Sequence, residues 1–179
     1  MTPTQRDQDR ICRKHAGRRR TLRLGVTMCL GLAAANAAAV TCTMSTPGIA
    51  FGGYDVYTAG VTNGNGTLTL RCSLDAGENG STSVSYKISL STGSSNSFVQ
   101  RRMMSGSNAL GYNLYTANTY SVVWGDGTGT TATLSGSLTL DNTNPSRSAN
   151  KTVYGQIPAL QDVAVASDYL DNVTVTVTY

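Results

Sequence analysis

NVTVTVTY, running from Asn172 to Tyr179, puts Val173, Val175, Val177 and Tyr179 on one face of an extended chain and Thr174, Thr176 and Thr178 on the other. These residue types suit a pleated surface that is buried on one side, so the stretch is predicted to be a β-strand with its valine face on a core. The same period of two recurs upstream. Leu68, Leu70 and Cys72 alternate with polar residues in TLTLRC, and Val84, Tyr86, Ile88 and Leu90 do so in VSYKISL. Further strands are predicted at LGYNLY (Leu110 to Tyr115), YSVVW (Tyr120 to Trp124), TATLSGSLTL (Thr131 to Leu140) and KTVYGQI (Lys151 to Ile157). Between them, NGNG at Asn63 to Gly66, AGENGS at Ala76 to Ser81 and GDGTG at Gly125 to Gly129 carry turn chemistry. Beyond residue 40 no apolar residues recur at helical spacing over three turns, so the expected class is all-β, a sandwich or a barrel, in one domain.

The first forty residues differ in kind. Arg6, Arg10, Arg13, Lys14, Arg18, Arg19, Arg20 and Arg23 make a basic stretch, followed by the apolar run LGVTMCLGLAAA from Leu24 to Ala35. That run is shorter than the roughly 20 residues a membrane-spanning helix needs. A basic region, a short apolar region and the A-x-A patterns ending at Ala37 and Ala39 make residues 1–37 a predicted secretory signal peptide, with cleavage near Ala37 or Ala39. The mature domain is then residues 38–179, without a transmembrane segment.

Removing the leader changes the charge. Of the 14 Lys and Arg residues only Arg71, Lys87, Arg101, Arg102, Arg147 and Lys151 remain, against Asp55, Asp75, Glu78, Asp126, Asp141, Asp162, Asp168 and Asp171. Six bases and eight acids leave about −2, with no basic stripe for a phosphate backbone, so nucleic acid is not an expected partner. Cys12 and Cys29 fall in the leader, which leaves Cys42 and Cys72 as an even pair in an exported chain and predicts a disulfide between them.

Catalytic chemistry finds little support. His15, the only histidine, lies in the leader, so Ser-His-Asp and Cys-His arrangements and histidine metal sites are excluded from the mature part. No local motif pairs a serine with Lys87 or Lys151. Asp168 and Asp171 have the residue type of a glycosidase pair, but a polar loop entering the last strand is the preferred reading. GDGTG lacks the helix or the regular ligand spacing of a phosphate or calcium loop and reads as a hairpin turn. No catalytic residue, metal or cofactor is expected. The chain has nine Tyr against Phe51 and Phe98. Tyr86, Trp124, Tyr154 and Tyr179 are expected to face inward, while Tyr112, Tyr115 and Tyr120 are open to either a core or a recognition role.

Several segments form an ordered set: Cys42, IAFGGYDVY (Ile49 to Tyr57), the strand ending at Cys72, Arg101-Arg102-Met103, YNLY (Tyr112 to Tyr115), WGDG (Trp124 to Gly127), VYGQIPALQ (Val153 to Gln161) and DYLDNVTVTVTY (Asp168 to Tyr179). Together they resemble the spore coat protein U domain family, which includes pilin subunits of archaic chaperone-usher pili. The resemblance implies an immunoglobulin-like β-sandwich that lacks its final strand, held by a periplasmic chaperone, passed to an outer-membrane usher and joined to other pilin subunits at the cell surface. It also implies that the last strand, with Val173, Val175, Val177 and Tyr179, flanks the groove for the chaperone or donor strand.

One feature departs from the family pattern. Polymerising subunits carry an N-terminal donor extension, whereas cleavage near Ala37 or Ala39 leaves only about two to four residues before Cys42, short of the roughly five a strand needs. The expected role is therefore a structural or adhesive pilus subunit at the tip or terminus of a fibre. The competing expectation is a self-contained secreted coat, matrix or carbohydrate-binding sandwich.

Overall fold

A computed structural model describes residues 39–179; the predicted signal peptide, residues 1–37, lies outside the described residues. Eight strands follow in order: β1 (Val40–Ser45), β2 (Thr62–Leu74), β3 (Thr82–Leu90), β4 (Arg101–Ser105), β5 (Asn108–Tyr115), β6 (Leu134–Leu140), β7 (Ser146–Ile157) and β8 (Val175–Thr178). They form two sheets, one of five strands in the order β1-β2-β7-β5-β4 and one of three in the order β6-β3-β8. Every pairing within the sheets is antiparallel. Two such sheets around one core are a β-sandwich, the expected class.

The period of two builds that core. On β3, Val84, Tyr86, Ile88 and Leu90 are buried while Ser83, Ser85 and Lys87 are exposed. Leu68, Leu70 and Cys72 from β2, Tyr112 and Leu114 from β5, and Val153 and Ile157 from β7 meet them from the other sheet. Each fully buried aliphatic side chain of this kind contributes about 1.5 to 3 kcal/mol. Trp124 is 0 % exposed. Its indole nitrogen donates to the Ile88 carbonyl at 3.0 Å, so the largest core side chain leaves no polar group unpaired.

Three local expectations are corrected by long-range pairing. NGNG is not a turn: Asn63 to Gly66 lie within β2 and pair with Gln156 to Val153 of β7. YSVVW is not a strand, and makes only the isolated bridges Tyr115↔Val123 and Trp124↔Ala132. The last strand is shorter than its alternation, because β8 begins at Val175. Just before it, Thr174 exchanges hydrogen bonds with Ser91, whose hydroxyl replaces a backbone partner. The other two predicted turns hold. Gly77, Gly80, Gly127 and Gly129 have positive φ, and Asp126 accepts hydrogen bonds from the Thr128 side chain and amide, which lower its pKa.

Cys42 and Cys72 face each other across β1 and β2 and are joined by a disulfide, with Cα atoms 4.0 Å apart. The bridge pins an edge strand to its neighbour in the same sheet. Its sequence separation of 30 residues corresponds to about 3 to 4 kcal/mol of stabilisation on the chain-entropy model. Urea unfolding of the Cys42→Ala, Cys72→Ala double variant is expected to show that loss. A difference below about 1 kcal/mol would mean that β1 is held by strand pairing alone.

Candidate functional site

The chain leaves β1 at Ser45 and crosses the inner face of the five-stranded sheet instead of continuing along its edge. This is possible because that face carries glycines. A Cβ on Gly66 would lie 2.5 Å from the Gly48 carbonyl oxygen, one on Gly64 2.9 Å from that of Ala50, and one on Gly155 2.5 Å from the Phe51 ring. The glycines of NGNG therefore serve close backbone approach. Ile49 and Phe51 are set down between the sheets, and Phe51 packs edge-on against Tyr112 with ring centroids 5.7 Å apart.

The crossing segment is one wall of a cleft of about 410 Å³. The opposite wall is Tyr169 to Val175, and the floor is core: Leu68, Leu90, Tyr112, Leu114 and Val153. A second cleft of about 520 Å³ shares Ile49, Phe51, Met103 and Tyr169 with the first and continues toward Tyr54 and Val163. Both are lined chiefly by apolar side chains.

The strand beside the cleft is only half covered. Val173, Val175 and Val177 are partly buried against the core, and Thr174, Thr176 and Thr178 are exposed. Across the ladder, Val175 pairs with Leu90 and Val177 with Ile88. Those two partners, one strand further in, are 3 % and 0 % exposed. The difference arises because β8 has β3 on one side and, among the described residues, no strand on the other. Val173 and Val175 line the cleft, and Val177 packs beyond it. Tyr179 corrects the expectation of an inward-facing residue: it is 56 % exposed. Its hydroxyl oxygen accepts the Cys42 amide at 3.3 Å, so it reaches from the end of the chain to β1.

Hydrogen-bonded polar groups, Arg101 and Asn113 among them buried, hold the second wall in place. Asp171 Oδ1 accepts the Ser94 amide at 2.8 Å and the Ser94 hydroxyl at 2.7 Å, and its Oδ2 accepts the Tyr112 hydroxyl at 2.7 Å. Burial, then the hydrogen bond to Asp171 and its charge, pushes the Tyr112 phenol well above its ordinary range. Arg101 is 0 % exposed. Its guanidinium donates to the carbonyls of Ser91 and Trp124 and to Asn113 Oδ1, at 2.7 to 3.0 Å. Burial pushes its pKa down, against the opposing influence of Tyr112 and Asp171. Since Ser91 also binds Thr174, Arg101 fixes the residue from which β8 is aligned. β4 adds a backbone bridge between Met104 and Leu170. The Gln161 side chain pairs with both backbone groups of Gly111 at 2.8 Å, as a strand would. Sequence reasoning singled out Arg101 only through its motif, because nothing local marks one arginine of a pair as buried.

The remaining candidates are structural in their contacts. Asp168 accepts the Ser105 hydroxyl at 2.6 Å, on a different element from the partners of Asp171. Lys87 is exposed, and Lys151 lies 5.7 Å from the centre of the Tyr86 ring. Tyr86 and Tyr112 are core residues, whereas Tyr154 is only partly buried, which corrects its inward assignment. Among the described residues no group of three His, Cys, Asp or Glu is arranged to hold a metal. No helix among them is long and apolar enough to cross a membrane.

A β-sandwich with an apolar cleft beside a half-covered last strand is the class that these features define. The chain belongs to the Spore Coat Protein U domain family, whose model matches residues 28–176. Among solved structures it is similar to the CsuC-CsuE chaperone-tip adhesion subunit pre-assembly complex from archaic chaperone-usher Csu pili of Acinetobacter baumannii, at 20% identity and a TM-score of 0.43. The match covers 79% of this chain and 40% of that one, so this chain spans less than half of the length it is compared with. No curated protein sequence matches it.

The alternation on β8 makes a face-specific prediction. Val175→Asp puts a carboxylate against the cleft floor and is expected to destabilise the domain by about 1 to 3 kcal/mol, while Thr176→Asp changes it by about 0.5 kcal/mol or less. Paired thermal or urea melts check this, and equal tolerance of the two changes would contradict the assignment.

Proposed function

We propose that the protein is an exported subunit of a surface fibre, assembled by a chaperone-usher pathway, whose cleft accepts a β-strand from another chain. One observation carries the reading: the valines of β8 stay partly exposed beside a fully buried Ile88 and Leu90, at an edge that has no strand beside it among the described residues, and Val175 lines an apolar cleft. Such an edge is an association hazard, and an added strand removes it. The added strand would pair with the backbone of β8 and send alternate side chains onto the floor between Phe51 and Val175. A periplasmic chaperone would occupy the site first and another subunit later, with an outer-membrane usher between them. No catalytic group is required. Binding energy would come from backbone pairing and apolar contact, in keeping with a structural or adhesive role.

Expression of the mature domain alone in the periplasm is expected to give aggregated or degraded protein. Fusing an alternating apolar strand after Tyr179 through a short linker is expected to give a soluble monomer whose Tm is higher by about 10 °C or more. A domain that is monomeric and stable alone, and gains nothing from the strand, would instead be a self-contained secreted sandwich.

We also propose that the subunit terminates a fibre or sits at its tip. Ala39 already bonds to Asp75 through its carbonyl, and β1 starts at Val40 and is tied down at Cys42. Residues from Ala39 onward are thus engaged in their own sheet, and cleavage near Ala37 or Ala39 would leave nothing to donate. The subunit accepts a strand and gives none. N-terminal sequencing combined with self-assembly of the purified protein tests this: long homopolymers from a chain beginning at Ala38 or Val40 would contradict it.

A further inference from the structure

The five-stranded sheet has a second face, opposite the cleft. Leu114, Val153 and Gly155 point to the core, so the residues alternating with them point outward. In register across this outer face lie Asn65↔Tyr154↔Tyr115 and, one step along, Asn63↔Gln156. Gln156 donates to Asn63 at 3.1 Å. Tyr120, from the loop after β5, completes an aromatic corner. Its ring centroid is 5.5 Å from that of Tyr115 and 6.5 Å from that of Tyr154, and its plane stands at 84° to both. All three tyrosines are partly exposed.

Two properties of this corner point to a ligand. Tyr120 has φ +52°, a conformation in which a bulky residue is disfavoured and which concentrates at functional positions. A polar loop that only had to turn would carry glycine or asparagine there. The second property is charge. Along the outer face of β2 and β7 the side chains beside the corner are Asn63, Asn65, Thr67, Thr152 and Gln156, and the first charged one along β2 is Arg71. The surface thus combines aromatic faces with neutral donors and acceptors.

We propose that Tyr115, Tyr120 and Tyr154, with Asn65 and Thr152 beside them, bind a neutral polysaccharide. A pyranose ring presents a flat, weakly positive C–H face that suits the negative face of a tyrosine ring, and a rim of hydroxyls that suits side-chain amides and hydroxyls. Cross-strand pairing of Tyr115 with Tyr154, and edge packing of Tyr120 on both, orient the rings before the ligand arrives. The cations on this face, Arg71 on β2 and Arg102 opposite Gly111 on β4, are not in register with the three rings, so no cation beside the rings recognises uronate or sulfate groups. The occupant is therefore a neutral glycan rather than an acidic one. This face is separate from the cleft, so the outcome here does not depend on whether the cleft accepts a strand.

The test is affinity electrophoresis of the mature protein in soluble form, alone if it is monomeric and otherwise with the strand fused after Tyr179, disulfide intact, in gels containing hydroxyethyl cellulose, galactomannan, xyloglucan or dextran, with carboxymethyl cellulose as the acidic counterpart. Retardation by at least one neutral polymer, stronger than by carboxymethyl cellulose, is expected. Tyr154→Ala is expected to weaken it by about tenfold or more. Tyr120→Gly separates binding from folding: glycine relieves the positive φ and so keeps or raises the Tm, yet it removes the ring and is expected to weaken binding to the same extent. Thr43→Ala, at the far end of the same sheet, is expected to leave mobility unchanged. The proposal is overturned if no neutral polymer retards the protein, if folded Tyr120→Gly and Tyr154→Ala bind as the parent does, or if the face binds immobilised gelatin and no glycan.

Discussion

Close approach of two backbones, over three residues that have no side chain, underlies the rest of the structure. Gly64, Gly66 and Gly155 let the segment after β1 drop onto the inner face of its own sheet, so that Ile49 and Phe51 lie between the layers. With any larger residue at Gly66, the Gly48 carbonyl would have to move away, and the segment with it. The first wall of the cleft would then be lost. The five-stranded sheet thus supplies both the floor of the cleft, through Leu68, Leu114 and Val153, and the platform for one of its sides.

The second wall depends on polar chemistry. Arg101 is removed from water and spends its donors on Ser91, Asn113 and Trp124, and Ser91 in turn binds Thr174. Asp171 is held by Ser94 and Tyr112 a few residues earlier. Buried hydrogen-bonded groups of this kind specify one arrangement, because each alternative leaves a desolvated donor or acceptor unpaired. An apolar wall could slide, but this one is located by directional bonds. The cleft is consequently shaped in advance, and a strand entering it would not have to bear the ordering cost of its walls.

The two faces of the five-stranded sheet divide the chemistry by the same alternation. Around the cleft, the inward positions Gly64, Gly66, Leu68 and Leu70 of β2 and Val153, Gly155 and Ile157 of β7 are aliphatic or glycine, while the positions alternating with them carry Asn, Thr, Gln and Tyr. Strand acceptance, as proposed for the cleft, uses the inner face. The proposed glycan site uses the outer one, and neither competes with the other for space.

Read without the structure, the chain already determines which residues point inward on β3 and β8, though not on β5 and β7, where tyrosines occupy both faces. Val84 to Leu90 and Val173 to Val177 alternate as predicted, because side-chain direction in a strand is a local property of the backbone. The pairing of Cys42 with Cys72 was legible as well, since they are the only two cysteines beyond the predicted leader. What the alternation does not carry is depth. Val175 and Leu90 look alike in sequence, and only their positions at the edge and one strand in decide that the first stays half exposed and the second is buried. Tyr179 extends the valine pattern by one step, yet lies beyond the end of the ladder and turns to β1. NGNG has the residues of a turn and became a strand, since pairing along all of β2 with β7 outweighs a local preference. Arg101 and Arg102 are adjacent and chemically identical, but the first is buried and the second exposed. In each case the deciding quantity is what lies beside the residue in space, which the packing of distant segments sets and no local pattern records.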